Sequence, residues 1–235
     1  WRRNRALSPS HRCEKMIRLH NQNCMKAMKE APDDFWDLAI VDPPYGIHKK
    51  LLTTSTKRNR SNKFALLYME KNWDRERPTK KYFDELIRVS KNQIVWGGNY
   101  FADKLPISRG WIIWHKKGEK MTVINNELAW TSFDRAIKTF ERGYFLDNGF
   151  MVRENVNVRI HPTQKPIQLY EWLLSKYAKK GFSILDTHLG SGSSAIAAHR
   201  MGFEFDGYEI DRDYFEGAEN RLREEQKQLL LFGSR

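Results

Sequence analysis

Along most of this 235-residue chain, short apolar runs of strand length alternate with stretches of helical spacing. That alternation restricts the fold more than any other feature of the sequence. The spacing predicts strands at 16–19, 36–41, 93–96, 111–114, 127–132, 182–185 and 203–209, and helices at 24–29, 79–90, 166–178, 193–201 and 212–229. The run at 36–41 is apolar enough for a parallel strand covered on both faces. The helix at 166–178 opens on a proline, whose missing N–H does no harm in a first turn, and Gly181 stands just past its end. Strands alternating with helices build an α/β fold, a mainly parallel twisted sheet with helices on both faces. With no repeat and no linker, residues 16–235 are expected to form one domain behind a basic arm at 1–15.

Composition narrows the function classes. Hydrophobic residues at 40% and charged residues at 30% supply a packed core and exclude a disordered chain. No apolar run approaches the ~18 residues of a membrane helix, and the Arg-rich start lacks the apolar segment of a signal peptide, so a soluble cytoplasmic protein is expected. Cys13 and Cys24 form no CxxC pair, which excludes a thiolate zinc site and a disulfide scaffold. His48, His115 and His188 are too scattered for a metal triad, and no metal is expected.

The formal net charge is +12, and it is localised. Residues 1–30 carry eight basic and two acidic side chains, and residues 48–81 carry eleven and three. Positive charge confined to two segments suits a surface that meets a polyanion, the plainer alternative being a solvated basic loop. The stretch 48–72 is rich in Thr, Ser, Asn, Lys and Arg and longer than most structureless loops, so it reads as a mobile, functional segment.

Two strand ends carry chemistry. At 186–193 the sequence Asp-Thr-His-Leu-Gly-Ser-Gly-Ser follows a strand and opens an Ala-rich helix. Such a turn lets backbone approach a ligand closely and offers helix-start N–H groups to an anion, although a tight turn needs no ligand. Its spacing is not that of a dinucleotide fold. Glu209 ends the next strand about twenty residues on, where a carboxylate can accept ribose hydroxyls. Together these favour a nucleoside cofactor without pyrophosphate; Asp211 is the better helix cap of the two. The second strand end is Asp42-Pro43-Pro44-Tyr45 followed by Gly46. The double proline stops the strand and stiffens the turn. It would aim the Asp42 carboxylate and the Pro43 carbonyl, both acceptors, at one small volume beside the Tyr45 ring, an arrangement suited to an aromatic amine. A rigid turn with a packed Tyr is the structural alternative.

These segments resemble the S-adenosylmethionine-dependent amino-methyltransferases of DNA, which act on adenine N6 or cytosine N4. The resemblance rests on the Asp42-Pro43-Pro44-Tyr45 turn, on His161-Pro162-Thr163-Gln164-Lys165-Pro166, and on Asp186 with Gly190-Ser191-Gly192. The segments starting at Trp96, Trp111 and Glu127 add to it, and it runs from about Leu19 to Leu222. Because the catalytic block precedes the cofactor block, the order is that of the β group, a circularly permuted form. The chain departs from the family pattern at Thr187-His188, where Pro-Phe is usual, and at Asn23, where an acidic residue is usual.

The resemblance implies a Rossmann-like methyltransferase fold, S-adenosylmethionine as cofactor with S-adenosylhomocysteine as product, and double-stranded DNA as partner. It implies a site-specific adenine-N6 methyltransferase acting on a flipped-out base. Cytosine N4, an RNA substrate and a non-catalytic binding module are the alternatives. Asp42, Pro43, Pro44 and Tyr45 would be catalytic. Asp186, Gly190, Ser191, Gly192, Glu209, Thr163 and Lys165 would hold the cofactor, although Lys165 equally suits a helix cap or a phosphate contact. Asn23 would reach the cofactor adenine or simply form a turn. Lys49, Lys50, Lys57, Arg58, Arg60 and Lys63 would bind DNA phosphates, and a short region at about 141–160 would read the target. A bacterial or phage cytoplasm is the expected setting; the resemblance leaves open monomer or homodimer, and a companion restriction endonuclease.

Among the remaining aromatics, Trp96, Trp111, Trp114 and Trp130 sit on expected strands and read as packing residues. Trp73 and Phe150 are better placed for a nucleic-acid surface. His161 reads as a structural residue or one packed beside the cofactor.

Overall fold

The computed structural model describes residues 16–47, 76–116, 126–141, 160–161 and 163–232. The arm at 1–15, the basic loop at 48–72 with Lys49, Lys50, Lys57, Arg58, Arg60 and Lys63, the recognition region from 142 to 159, and Trp73, Phe150 and Pro162 lie outside the described residues.

One eight-stranded sheet organises the described chain, in the order β1-β8-β7-β2-β3-β5-β4-β6. Its strands are β1 (Ile17–His20), β2 (Leu38–Val41), β3 (Gln93–Trp96), β4 (Trp111–His115), β5 (Asn126–Thr131), β6 (Lys138–Glu141), β7 (Ser183–Asp186) and β8 (Glu204–Tyr208). Each runs parallel to its neighbours except β5, which is antiparallel to both β3 and β4. The helices are α1 (Cys24–Glu30), α2 (Lys80–Val89), α3 (Ile167–Tyr177), α4 (Ser193–Met201) and α5 (Arg212–Phe232). The expected α/β architecture is therefore the observed one.

The period of two in β2 explains the two layers. Leu38 and Ile40 enter one core with α3, α4, Trp96 and Phe205, whereas Ala39 and Val41 enter the other with Met28 of α1 and Phe83 and Leu86 of α2. A strand buried on both faces needs apolar residues at every position, and all four of β2 are buried. Trp96, Trp114 and Trp130 are core residues, as their strand positions suggest.

Most element ends shift by one to three residues from the sequence reading, and two differences have a plain physical reason. Trp36 does not belong to β2 but makes an isolated bridge to Ser90, and the strand starts at Leu38. The strand β6 was not anticipated, because Lys138-Thr139-Phe140-Glu141 is mostly exposed and has no apolar alternation. Edge pairing to β4 forms it, and Glu141, expected to open a recognition region, is its last residue.

Asp206 on β8 fastens the far edge of the sheet. Its carboxylate accepts from Arg18 Nε (2.6 Å) and Nη2 (2.8 Å) on β1, and from the indole N–H of Trp36 (2.9 Å). Replacing it orphans a buried indole donor and a half-buried guanidinium together. Asp206→Ala is expected to lower the unfolding free energy by about 2 kcal/mol, read by urea denaturation, with the fold retained by circular dichroism.

Candidate active site

Strands β2 and β7 are neighbours, paired at Leu38–Ile184 and Ala39–Leu185, so their carboxyl ends emerge side by side. In open parallel sheets that edge is where ligands bind. The chain places there the two segments singled out from sequence: Asp42 directly after β2 and Asp186 as the last residue of β7.

Asp42 is held from two sides. The Tyr45 hydroxyl donates to its Oδ1 (2.6 Å), and the Lys165 ammonium donates to its Oδ2 (2.5 Å). Lys165 is only 4% exposed and also contacts Glu127 Oε2 (3.2 Å), while Glu127 Oε1 accepts from Lys116. Burial pulls the Lys165 pKa down, but the charges of Asp42 and Glu127 more than reverse this and leave it above the ordinary lysine value. Burial likewise pushes Glu127 up, and Lys165 and Lys116 bring it below the ordinary carboxylate value. The result is a buried row of alternating charge, Lys116–Glu127–Lys165–Asp42. The Tyr45 ring stacks on Tyr100 (centroids 4.9 Å apart, 17° between planes). Close approach to Gly97 makes this packing possible: Gly97 has φ +68°, and a Cβ there would lie 2.2 Å from Tyr45 Cε1.

The Gly190–Gly192 bend is pinned from three elements. Asp186 accepts from the His188 N–H (3.0 Å) and the Ser194 hydroxyl (2.6 Å). Glu209 accepts from the Gly190 N–H (2.9 Å) and from the Asp211 N–H (2.9 Å). Arg221 of α5 donates to the Ser191 carbonyl. Gly190 and Gly192 have φ +52° and +74°, which explains their residue type without reference to a ligand. Asp211 caps α5 through the Asp213 and Tyr214 N–H groups, as expected.

In contrast to Asp42, Asp186 faces no cation among the described residues. Burial raises its pKa to about 7; the Ser194 and His188 bonds oppose this, and the charges of Asp42 and Glu209 add to it. Glu209 is also shifted up by burial. Two neighbouring carboxylates, buried Asp186 and half-buried Glu209, face no counter-charge among the described residues and fit a cationic ligand, and Glu209 keeps acceptor capacity for a hydroxyl. A cavity of about 130 Å³ adjoins it, lined by Asn23, Cys24, Thr187, His188, Tyr208 and Glu209 among others. These residues fit the ammonium and ribose of S-adenosylmethionine. A larger cavity, about 380 Å³, opens at the opposite strand ends between Gln93, Ile107 and Phe133 and contains none of the candidate catalytic or cofactor residues.

Several sequence-derived candidates land differently. Lys165, expected at the cofactor, has its ammonium committed to Asp42 and Glu127, because a buried cation takes the nearest carboxylates. Thr163 is exposed and bonds to His161 Nδ1 (3.2 Å). His161 is buried, sits edge-on to Tyr214 (4.4 Å) and lies beside Gly190. Asn23 caps α1 by accepting from the Met25 N–H (2.9 Å) while also lining the smaller cavity. Sequence reasoning missed the parts played by Glu127, Lys116, Ser194 and Arg221. The one available signal was a charged residue, Glu127, at the start of an apolar strand run.

The chain is similar in sequence and in fold to known DNA methyltransferases. The N6/N4 methyltransferase family model, described as DNA methylase, matches residues 90–220, more than half of the chain. The Type II methyltransferase M.HpaI of Haemophilus parainfluenzae is 25% identical over 235 aligned residues, covering 88% of this chain and 74% of that protein. Among solved structures, the M1.HpyAVI–SAM complex superposes with a TM-score of 0.54 at 17% identity, covering 88% of this chain and all of that one. PvuII DNA methyltransferase, cytosine-N4-specific, gives 0.53 at 11% identity, covering 90% of this chain and 92% of that one.

Removing one member of a buried charge row strands its neighbours. Lys165→Met is expected to lower the unfolding free energy by about 3 kcal/mol, and Lys165→Met with Glu127→Gln to recover part of that loss, both measured by chemical denaturation.

Proposed function

The chain belongs to the DNA methylase family of N6/N4 amino-methyltransferases, and from that premise we propose that it transfers a methyl group from S-adenosylmethionine to the N6 amine of adenine in double-stranded DNA. The observation that carries this reading is the adjacency of two unlike carboxylate sites at neighbouring strand ends: Asp42 with its lysine, and Asp186 with none. One is built to accept from a neutral donor, the other to receive a cation.

An exocyclic amine is a poor nucleophile because its lone pair is delocalised into the ring. Asp42 retains a lone pair on each oxygen beyond those taken by Tyr45 and Lys165, and the carbonyl of Pro43, next in the chain, would supply a second acceptor. Accepting the two amine protons at these atoms favours a tetrahedral nitrogen and stabilises the positive charge that develops there. Lys165 and Tyr45 fix the Asp42 carboxylate, and alignment at this level matters because a misplacement of 1 Å can cost ~100-fold. S-adenosylmethionine supplies a methyl already activated by its sulfonium, so the protein needs no strong base. Asp186 would hold its ammonium and Glu209 its ribose, over the Gly190–Gly192 bend, with Ser191 and Thr163 at its carboxylate end.

The Tyr45–Tyr100 stack offers a flat wall to a base turned out of its duplex. Lys49, Lys50, Lys57, Arg58, Arg60 and Lys63 would contact phosphates, which position the duplex without reading its sequence. Adenine is favoured over cytosine by the Asp form of the tetrapeptide, commoner among adenine enzymes of this family. Cytosine N4 keeps the support of a fold shared with the cytosine-N4-specific PvuII enzyme.

Incubating the protein with S-adenosylmethionine and mixed-sequence duplex DNA, then analysing nucleosides, is expected to yield N6-methyladenine, and Asp42→Ala is expected to lower the rate by at least about 100-fold. Methylcytosine alone would replace adenine with cytosine as the substrate. Cofactor binding is expected to depend on pH. Because the folded Asp186 titrates at about 7, above an ordinary carboxylate, its protonated form stabilises the unliganded fold at low pH, and that contribution is lost as pH rises toward 7. The ionised form attracts the ligand ammonium, so calorimetric affinity for S-adenosylmethionine should rise about fivefold from pH 6 to pH 7.5 and level off above that, as the ligand's own α-amino group loses its proton at about pH 8.

A further inference from the structure

The departure Thr187-His188 is built into a hydrogen-bonded relay. The Tyr82 hydroxyl lies 2.6 Å from Thr187 Oγ1, and that oxygen lies 2.9 Å from His188 Nδ1. Tyr82 and Thr187 are buried, and His188 lines the 130 Å³ cavity with Asn23, Tyr208 and Glu209.

Proton counting fixes the direction of the relay. Thr187 has one hydroxyl proton and two ring neighbours. If His188 donated through Nδ1, either Thr187 would pass its proton to Tyr82 and leave the buried Tyr82 proton without an acceptor, or Thr187 would accept from both rings and its own buried proton would have none among the described residues. Buried donors are seldom left so. Tyr82 therefore donates to Thr187, Thr187 donates to His188 Nδ1, and the neutral ring carries its proton on Nε2. Burial keeps that ring neutral by lowering its pKa to about 4, so the arrangement persists across the working pH range. Nε2 lies on the ring edge away from Thr187 and has no protein partner among the described residues.

We propose that His188 is a cofactor-specificity residue whose Nε2–H, oriented by Tyr82 and Thr187, donates to a ring nitrogen of the cofactor adenine. The assignment rests on the reading that this cavity takes the adenosine half of S-adenosylmethionine. Glu209 supports the placement, since it stands at the same cavity with lone pairs for ribose hydroxyls. A ring nitrogen is an acceptor only, so a fixed donor discriminates among purine-like rings where a purely apolar wall would not.

The test is calorimetry of S-adenosylhomocysteine and its 1-deaza, 3-deaza and 7-deaza analogues with the full chain, His188→Phe and His188→Gln. The expected result is that His188→Phe binds S-adenosylhomocysteine about tenfold more weakly while His188→Gln, which keeps a donor, stays within about threefold. One analogue should lose the same factor with the wild-type chain and lose nothing further with His188→Phe. Nitrogen NMR of the wild-type chain should find His188 protonated on Nε2, and Thr187→Val should give mixed tautomers. Equal losses for every analogue, unchanged affinity of His188→Phe, or an Nδ1–H tautomer would each overturn the assignment; the analogue series and the NMR on the wild-type chain decide it even if a variant fails to fold. A folded wild-type chain that binds no S-adenosylhomocysteine would instead bring down the methyl-donor reading and this assignment with it.

Discussion

A buried charge is tolerated only beside its opposite, and the row Lys116–Glu127–Lys165–Asp42 meets that condition with two of each sign. The row ties together the end of β4, the start of β5, the turn before α3 and the end of β2. Its chemical consequence is that Asp42 can be fixed in a largely enclosed position while staying an acceptor. Its structural consequence is that segments far apart in sequence must arrive together for any of them to be comfortable. The row therefore links correct assembly of the sheet edge to competence of the site.

The two carboxylates at that edge show how environment divides the labour between like groups. Asp42 meets an ammonium at 2.5 Å; Asp186 meets a hydroxyl and an amide, with two further carboxylates nearby. A ligand ammonium would complete the second site much as Lys165 completes the first. Because the two sites occupy adjacent strand ends, the reacting groups would approach along the sheet edge.

Local pattern made most of the fold legible. The helical period of α2 and α3 is clear because burial on a defined face leaves a mark in sequence, and β2 is clear because burial on both faces leaves a continuous apolar run. The edge strand β6 left no such mark, since its side chains are mostly exposed. At the site, Asp42, Asp186 and Glu209 were readable because each ends a strand at the ligand edge of a parallel sheet. Glu127 was not, for a geometric reason. It begins its strand, and in a wholly parallel sheet a strand's start lies at the far edge; only the reversal of β5 carries it to Lys165. The bonds from Lys165 to Asp42 and Glu127 were not legible, because nothing local in sequence reveals which carboxylate a buried ammonium will meet.

Arg221, well along the last helix, grips the Ser191 carbonyl in the middle of the glycine bend. The helix α5 thus acts as a clasp on a loop that lies thirty positions upstream. A proteolytic nick or a bulky tag that loosened the closing helix would be felt first as slack in that loop, while the remote strands kept their pairing.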